Sequence, residues 1–564
     1  MTISIVGGGV PADSVVQSLT ESGESVTRHD SVETIESPAL SVIIGSVGDE
    51  RFERASEQLT GEWIALELGG VGGIGIGSVA FAVTGFGPKT PCFDCLHRRV
   101  DSQIADDTVE QSPSVHPPTA HLGGALAGTQ AVKLLDGDDS PLGAVLEQPH
   151  ATRRLLAVPG CSCTDHQRWM LSDERLDRSL EESLERAERA VDPRLGIISE
   201  VGEIESFPVP YYLTQLGSTT AFSSQQASKQ AAGVALDWNE AFMKALGESL
   251  ERYCAGVYKR DGLVSGRPVD QPNAVVPSAF VHPGDHNDTE PIEWVPGTEL
   301  GTDRTVSLPA EHVFFPYDSD GPTITTGLGL GNDHTEAIVA GLTEIIERDA
   351  AIIAWYSSYE PLGLSIEDER FGTLRRRAKA TGLSVTATLL TQDVDIPVVA
   401  VAVHRSDEEW PAFALGLAAD LDPIAAAVSA GTEAIQNFTE LRRMGQSRAT
   451  EAGGRIGHFA ARPATIAEFV SPDQSVPITS VAPEQAASPV DLLLDRLHAA
   501  DLSAYATSLT TVDVRTLGFE AVRVLVPSAQ PLFIDSPYFG DRARTVPKSL
   551  GFDPRLEREH HPYP

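Results

Sequence analysis

The chain has 564 residues, 41% of them hydrophobic, and sets 80 acidic side chains against 42 basic ones for a formal charge of −38. That length holds several domains with cores of their own, and that charge excludes broad contact with nucleic acid, whose phosphates it would repel. The acid is spread along the chain and only seven of the cations are lysine. This reads as a solvated surface suited to molar salt, where charges are screened over about 3 Å, and so as a halophilic, cytoplasmic protein. MTISIVGGGV lacks the basic head and long apolar stretch of a secretory signal, and no run of apolar residues is long enough to span a membrane.

In chain order, TISIVGGGV at the start is predicted as a strand running into Gly7–Gly9. A full Gly-x-Gly-x-x-Gly pattern is missing there, so the glycines read as a tight strand-to-helix turn without a nucleotide. ALELGGVGGIGIGSVAFAVTGFG reads as strands and turns, and GGALAGTQAVKLLDG at 123–137 as an apolar helix stopped by Asp136 and Gly137. Residues 1–165 therefore form one α/β unit. Residues 166–192 connect it onward. Within them Leu176, Leu180 and Leu184 recur every fourth position, which predicts an amphipathic helix over 172–191, with Ser172 as N-cap and Pro193 beyond its end. Residues 193–564 read as a larger α+β region. It has long apolar helices at about 239–258, 334–356 and 423–444 and strands at VVAVAVH (398–404) and AVRVLVP (521–527). The Gly-, Ala-, Pro- and Ser-rich stretch 445–490 is a loop or lid candidate.

Of five cysteines, four fall in two tight pairs, Cys92 and Cys95 in PCFDCLHRR and Cys161 and Cys163 in PGCSCTDH. An odd, small number in a long chain argues for reduced thiols rather than a disulfide framework. Two pairs of thiolates suit tetrahedral zinc, and four of them leave no open position, so the metal would be structural. The second pair is one residue tighter than a usual knuckle, and His97 and His166 are candidate substitutes. A redox dithiol at Cys92 and Cys95, or a remnant site without metal, are the competing readings. Cys254 reads as a core residue.

One phrase occurs twice: LGESLERY at 246–253 and LTEIIERD at 342–349. Each holds Glu-x-x-Glu-Arg inside an apolar helix. At about 100° per residue, Glu336, Glu344, Glu347 and Arg348 share one arc, as do Lys244, Glu248, Glu251 and Arg252 in the first copy. Such helices are apolar on most of their circumference, so these carboxylates are expected inside. Small residues lie among them (Ala337, Ala340, Gly341 and Ala351, then Ala241 and Ala255) and would leave room for something to lie against the charged stripe. Buried carboxylates need a cation or strong hydrogen bonds. If each arginine neutralises one glutamate, three of the five motif glutamates are left over, and magnesium with a phosphate-bearing nucleotide would satisfy them. A buried salt-bridge network is the alternative.

With these motifs the sequence resembles the YcaO family. The family's ATP site is built from Glu-x-x-Glu-Arg on one helix and Asn-x-x-x-Glu followed by Glu-x-x-Glu-Arg on another. The matching positions are Glu248, Glu251 and Arg252, then Asn332, Glu336, Glu344, Glu347 and Arg348, within TGLGLGNDHTEAIVAGLTEIIERDA. SAGTEAIQN at 429–437 and GFEAVRVLVPSAQPL at 518–532 are similar as well, with Gln436 and Arg442 as candidates for the nucleotide pocket. A serine frequent four residues before the first glutamate is Lys244 here. The resemblance covers roughly 193–564. Residues 1–165 resemble the partner domain of azoline-forming YcaO proteins, which is similar to ThiF and ubiquitin-activating enzymes and carries a zinc held by four cysteines. The resemblance thus implies a Rossmann-like, ThiF-type domain followed by a YcaO domain, and the acidic composition reads as a haloarchaeal source.

The chain ends HHPYP, and azoline-forming relatives often end in Pro-x-Pro-x-Pro. The resemblance implies that such an end threads to the active site, so that the carboxylate of Pro564 takes a proton beside Glu344 and Arg348. It implies an ATP-dependent cyclodehydratase that turns Cys, Ser or Thr of a ribosomally made, bacteriocin-like precursor peptide into azolines. Magnesium and ATP would be bound and zinc would be structural. Expected partners are a separate leader-binding protein, since no segment before Thr2 would serve, a flavin-dependent dehydrogenase, and a second copy in a homodimer. Thioamide or amidine formation, and an accessory role in ribosomal protein modification, are the alternatives.

Overall fold

The structure, a computed structural model, describes residues 2–36, 39–104, 115–164, 169–284, 288–318, 324–405, 409–451, 456–483 and 488–564. The first unit is built on a seven-stranded sheet. Its parallel half runs Ser25–His29, Thr2–Val6, Leu40–Ser46, Trp63–Leu68, and its antiparallel half continues through Phe81–Phe86, Ala144–Gln148 and Ala151–Arg154. Alternate residues of the parallel strands feed two apolar layers, Ile3, Val42 and Ile64 on one face and Val6, Ile43 and Ala65 on the other. The helices Gly9–Glu21 and Pro117–Leu135 cover the first face. Their backbones meet at Gly124, where a Cβ would lie 2.2 Å from the Pro11 carbonyl oxygen. The turn Gly7–Gly9 is tight as expected. Gly7 has φ +128° and its missing Cβ would strike Ile44.

The connector departs from expectation. It is helical only over Leu180–Ala187, with a short 3-10 turn at Glu188–Ala190. Ser179, not Ser172, is the N-cap. It forms a reciprocal capping box with Glu182, and this local signal outweighs the leucine period upstream. Residues 171–178 instead run irregularly along the second unit. There the Ser172 amide donates to His334 Nδ1 at 3.1 Å and the Leu176 amide to the Asp333 carboxylate at 2.8 Å.

The second unit has three main sheets. A three-stranded antiparallel sheet (Ile198–Glu205, Tyr211–Leu216, Gln230–Val234) packs under the helix Trp238–Gly256. A six-stranded sheet contains Leu328–Gly331 and Glu520–Leu525, and a five-stranded sheet contains Val398–His404 and Phe413–Ala419. The helix His334–Trp355 lies between these two sheets, with Pro423–Met444 against the five-stranded one. The described residues of the stretch 445–490, expected as a loop or lid, include part of the core. Phe459, Ile466 and Phe469 in it are at most 1% exposed and belong to the same core as Trp355, against which both phenylalanine rings pack.

The two units are locked together by Arg99, on the helix Phe93–Asp101. Its buried guanidinium donates to Asp513 and to the Ala157 carbonyl, and Asp513 also accepts from Tyr253 on the helix Trp238–Gly256.

Candidate active site

The two repeated phrases fall on Trp238–Gly256 and His334–Trp355, capped at their N-termini by Asp237 and Asp333. The small residues of both helices serve a different purpose from the one expected. Gly233 on the strand beside the first helix has no room for a Cβ, which would lie 2.3 Å from the Ala241 carbonyl oxygen. Gly329 meets Ala337 in the same way, and Gly341 meets Val524. Ala241, Ala337 and Gly341 thus admit strands or their side chains, not a ligand, whereas Ala340 faces a separate cavity with Glu336 and Thr343.

A cavity of about 580 Å³ opens between the first helix, the third helix Pro423–Met444 and the Leu328–Gly331 strand end. Glu248, Glu251, Asn332 and Glu336 line it, joined by Lys244 and Gln436. Ser429, Thr432 and Glu433, within SAGTEAIQN but not singled out there, also line it, as do Arg178 and Ser183 from the connector. Arg442 is not brought there. It points away, half-exposed, to pair with Glu205 at 3.0 Å. Arg252, Glu344, Glu347 and Arg348 do not line the cavity but act on its glutamates through charge.

The pairing also differs from one arginine per glutamate. Arg252 holds Glu248 at 2.6 Å, whose other oxygen accepts from the Ala232 amide at 2.9 Å. Arg348 serves two carboxylates, Glu347 at 3.3 Å and Glu344 at 4.0 Å, and Glu344 also accepts from the Gly327 amide at 2.9 Å. Glu336 accepts from the backbone and side-chain amides of Asn332 at 2.8 and 3.1 Å, and Ser183 donates to the Asn332 carbonyl oxygen at 2.9 Å. Glu251 accepts no hydrogen bond among the described residues. Burial and the charges of Glu344 and Glu248 push its pKa up to about 8. Burial likewise lifts Glu347 to about 8 against the pull of Arg348, with Glu433 and Glu344 adding to the rise. Glu433, raised by burial too, accepts from the Leu417 amide at 2.6 Å. Burial lowers the Lys244 ammonium, opposed by Glu240 and Glu433. The repeated phrase marks Glu248 and Glu251 in the sequence. Glu433 belongs to no repeat, and its place within SAGTEAIQN, three residues before Gln436, is the signal that points to it.

The C-terminal segment is buried against this site. His561 and Tyr563 are 1% and 3% exposed, Tyr563 packs edge-on against Trp355 and Phe469, and Trp355 donates to the Glu559 carbonyl at 2.8 Å. The path ends with Arg348 donating to the terminal Pro564 at 3.2 Å.

A second cluster lies in the first unit. Cys92 and Cys95, at the start of Phe93–Asp101, meet Cys161 and Cys163, and all four sulfurs lie within 4.8 Å of one another. No other group of three or more potential ligand atoms is so compact among the described residues. His97 is not part of this cluster, and its Nδ1 engages the Gly72 carbonyl at 2.8 Å. His166 lies outside the described residues.

A family model described as YcaO cyclodehydratase, ATP- and Mg2+-binding, matches residues 232–530. An uncharacterized protein of Methanothermobacter thermautotrophicus is 26% identical over 383 residues, covering 62% of this chain and 93% of that protein. Two solved structures share the fold over the whole chain. A heterocyclase in complex with substrate and cofactor has a TM-score of 0.74 at 18% identity, with 85% of it covered, and the heterocyclase TruD has 0.69 at 17%, with 84% covered. None of the described helices is long and apolar enough to cross a membrane. With the matched segment spanning more than half of its length, the chain belongs to the YcaO family of ATP-dependent cyclodehydratases.

Proposed function

We propose that the glutamate-lined cavity binds ATP with magnesium and that the enzyme uses it to cyclodehydrate Cys, Ser or Thr residues of a ribosomally made precursor peptide. The observation that carries this is the convergence of Glu248 and Glu251 from one helix with Glu336 from another, and Asn332 from the turn before it, around one cavity, backed by Arg348 and Pro564.

The residues fit magnesium. Glu251 has no hydrogen-bond donor among the described residues, and a hard cation takes oxygen ligands. Glu248, Glu251 and Glu336 would hold it, and it would neutralise phosphate charge. Lys244 and Arg178, also on the cavity wall, suit the remaining phosphate oxygens. The four cysteines fit zinc. Their closest sulfurs are 3.4 to 3.9 Å apart, near the ~3.8 Å edge of a tetrahedron with bonds of about 2.3 Å. Zinc there would be structural.

In the reaction, the substrate thiol or hydroxyl attacks the preceding carbonyl carbon and loses its proton. The resulting oxyanion attacks the γ-phosphorus of ATP, and ADP leaves. The amide nitrogen then loses its proton and expels phosphate, leaving a C=N bond in the ring. Arg348 donates to the Pro564 backbone oxygen, and a carboxylate at that position would be suited to take one of these protons. Glu344 and Glu347 hold Arg348 in turn. Water exclusion by the buried C-terminal segment keeps the phosphorylated intermediate from hydrolysis.

Mass spectrometry of a Cys-, Ser- and Thr-bearing precursor peptide incubated with the enzyme and Mg-ATP tests this. The expected product loses about 18 Da per site by loss of water, with one ADP formed for each. A gain of about 16 Da, oxygen replaced by sulfur in the presence of sulfide, would overturn azoline formation. Absence of peptide-dependent ADP would overturn the enzyme reading and leave an accessory role.

A further inference from the structure

The glutamate cavity has its own fixed cation on the first motif helix. Lys244, Glu248 and Glu251 follow one another at i, i+4 and i+7, so they share one face over about 10 Å of helix. Across the cavity, Glu433 reaches in from the third helix. Beyond burial, the charges acting most on Glu251 are those of Glu344, Glu248, Arg252 and Arg523. On Glu433 they are those of Arg348, Lys244 and Glu344. We propose that Lys244 stands in for a second divalent cation, bridging Glu433 to the phosphate oxygens of the nucleotide, so that the cavity takes one magnesium per nucleotide. This rests on the proposed binding of Mg-ATP.

The four glutamates of the cavity wall are not served alike. Glu248 has Arg252 at 2.6 Å, and Glu336 has the two amides of Asn332 at 2.8 and 3.1 Å. Glu251 and Glu433 have no side-chain hydrogen-bond donor among the described residues, and Glu433 has only the Leu417 amide at 2.6 Å. Each of these two calls for a cation when a polyanion enters. At Glu251 it must come from solution. At Glu433 the chain supplies it, because Lys244 and Glu433 each favour the charged form of the other.

Lysine suits that task. An ammonium is a compact charge with three donors and no acceptor, so it can serve a carboxylate and a phosphate oxygen together, as a bridging metal does. It also excludes the metal, since it offers no oxygen to magnesium's octahedral shell and repels a second cation. The Lys244 side chain is accessible to solvent within the cavity, yet the surrounding protein still disfavours its charge, with Glu240 and Glu433 opposing that effect. The ammonium therefore has room to turn and gains from a second anion beside it.

Magnesium is counted to test this. Calorimetry measures the affinity for the β,γ-methylene analogue of ATP across free magnesium concentrations that all keep the analogue saturated. The slope of log affinity against log free magnesium then gives the further ions bound, by linkage. The wild type should show a slope near zero, with equilibrium dialysis and atomic absorption finding about one magnesium per bound nucleotide. Lys244→Met, which keeps the bulk and removes the charge, should raise the slope to about one, add a second magnesium, and weaken binding about tenfold or more at the lowest magnesium. Lys244→Arg should return the slope to near zero. A second magnesium in the wild type, or a slope still near zero in Lys244→Met, would overturn the stand-in role and leave the Mg-ATP site standing. The wild-type count needs no variant, so it decides even where Lys244→Met does not fold. Analogue binding by the wild type that needs no magnesium would overturn both readings.

Discussion

The two Glu-x-x-Glu-Arg helices carry the same letters in different surroundings. In the first, Arg252 and Glu248 form a tight pair at 2.6 Å with side chains 27% and 31% exposed, and Glu251 is left facing the cavity. In the second, Arg348 is 16% exposed and lies among Glu344, Glu347 and the C-terminus. One arginine orients a single carboxylate at the cavity edge, and the other is the hub of a charged network. A repeated phrase therefore fixes which atoms are available, and the neighbours fix what they do.

The sharpest way to break that contrast is to remove each arginine. Arg348→Ala leaves buried carboxylates uncompensated and frees the C-terminus. We expect peptide-dependent ATP turnover to fall by about 10³-fold, the scale of losing a central electrostatic group. Arg252→Ala removes a partly exposed pair and should cost about tenfold, mostly in the KM for ATP. Steady-state kinetics on both variants checks this, and equal losses would mean that the helices are equivalent after all. Deleting Pro564 alone separates the hub's two duties. Cyclodehydration is expected to fall by about 10²-fold, the scale of a general acid–base group, while calorimetric affinity for Mg-ATP is retained.

Much of this was legible in the sequence, for identifiable reasons. The repeated phrase marked the motif helices because apolar periodicity and charge spacing survive without tertiary knowledge, and VVAVAVH became the strand Val398–His404. Two kinds of feature were not legible. Arg178 and Ser183 reach the cavity from the connector, and only the fold brings them together with the motif glutamates. The small residues Ala337, Gly341 and Ala241 read as space for a ligand, yet the space is filled by strands, because a missing side chain does not say which neighbour takes its place. Leu176 followed the helical period and still lies outside the helix, since the capping box at Ser179 set the start.

The charge environment gives a smaller, graded effect. With Glu251 and Glu347 pushed up to about 8, both are largely protonated at pH 7 in the free enzyme. Cation binding needs Glu251 ionised, so Mg-ATP affinity should rise as pH goes from about 6.5 to 8.5, with protons released on binding at pH 7 and few at pH 9. Calorimetry in buffers of different ionisation enthalpy measures that release, and Glu251→Gln should reduce it. The same shifts act on stability with the opposite sense. A carboxyl raised from 4.5 when folded keeps its proton where the unfolded chain has lost it, so the free enzyme loses stability as pH climbs from about 4.5 to 8.

The smallest effects should come from sites outside the hub. Cys161→Ser should lower the zinc content measured by atomic absorption and the melting temperature by several degrees, because metal binding is linked to folding. The helix Phe93–Asp101 bears both Cys95 and Arg99, so the loss would reach the motif helix through Asp513 and Tyr253 as a modest change in KM for ATP. Arg442→Ala should do least of all. Its pair with Glu205 has side chains 51% and 32% exposed, and surface pairs of this kind are worth about 0–1 kcal/mol. Kinetics indistinguishable from the wild type are expected, and a large rise in the KM for ATP would return Arg442 to the nucleotide pocket by a rearrangement of the third helix on binding.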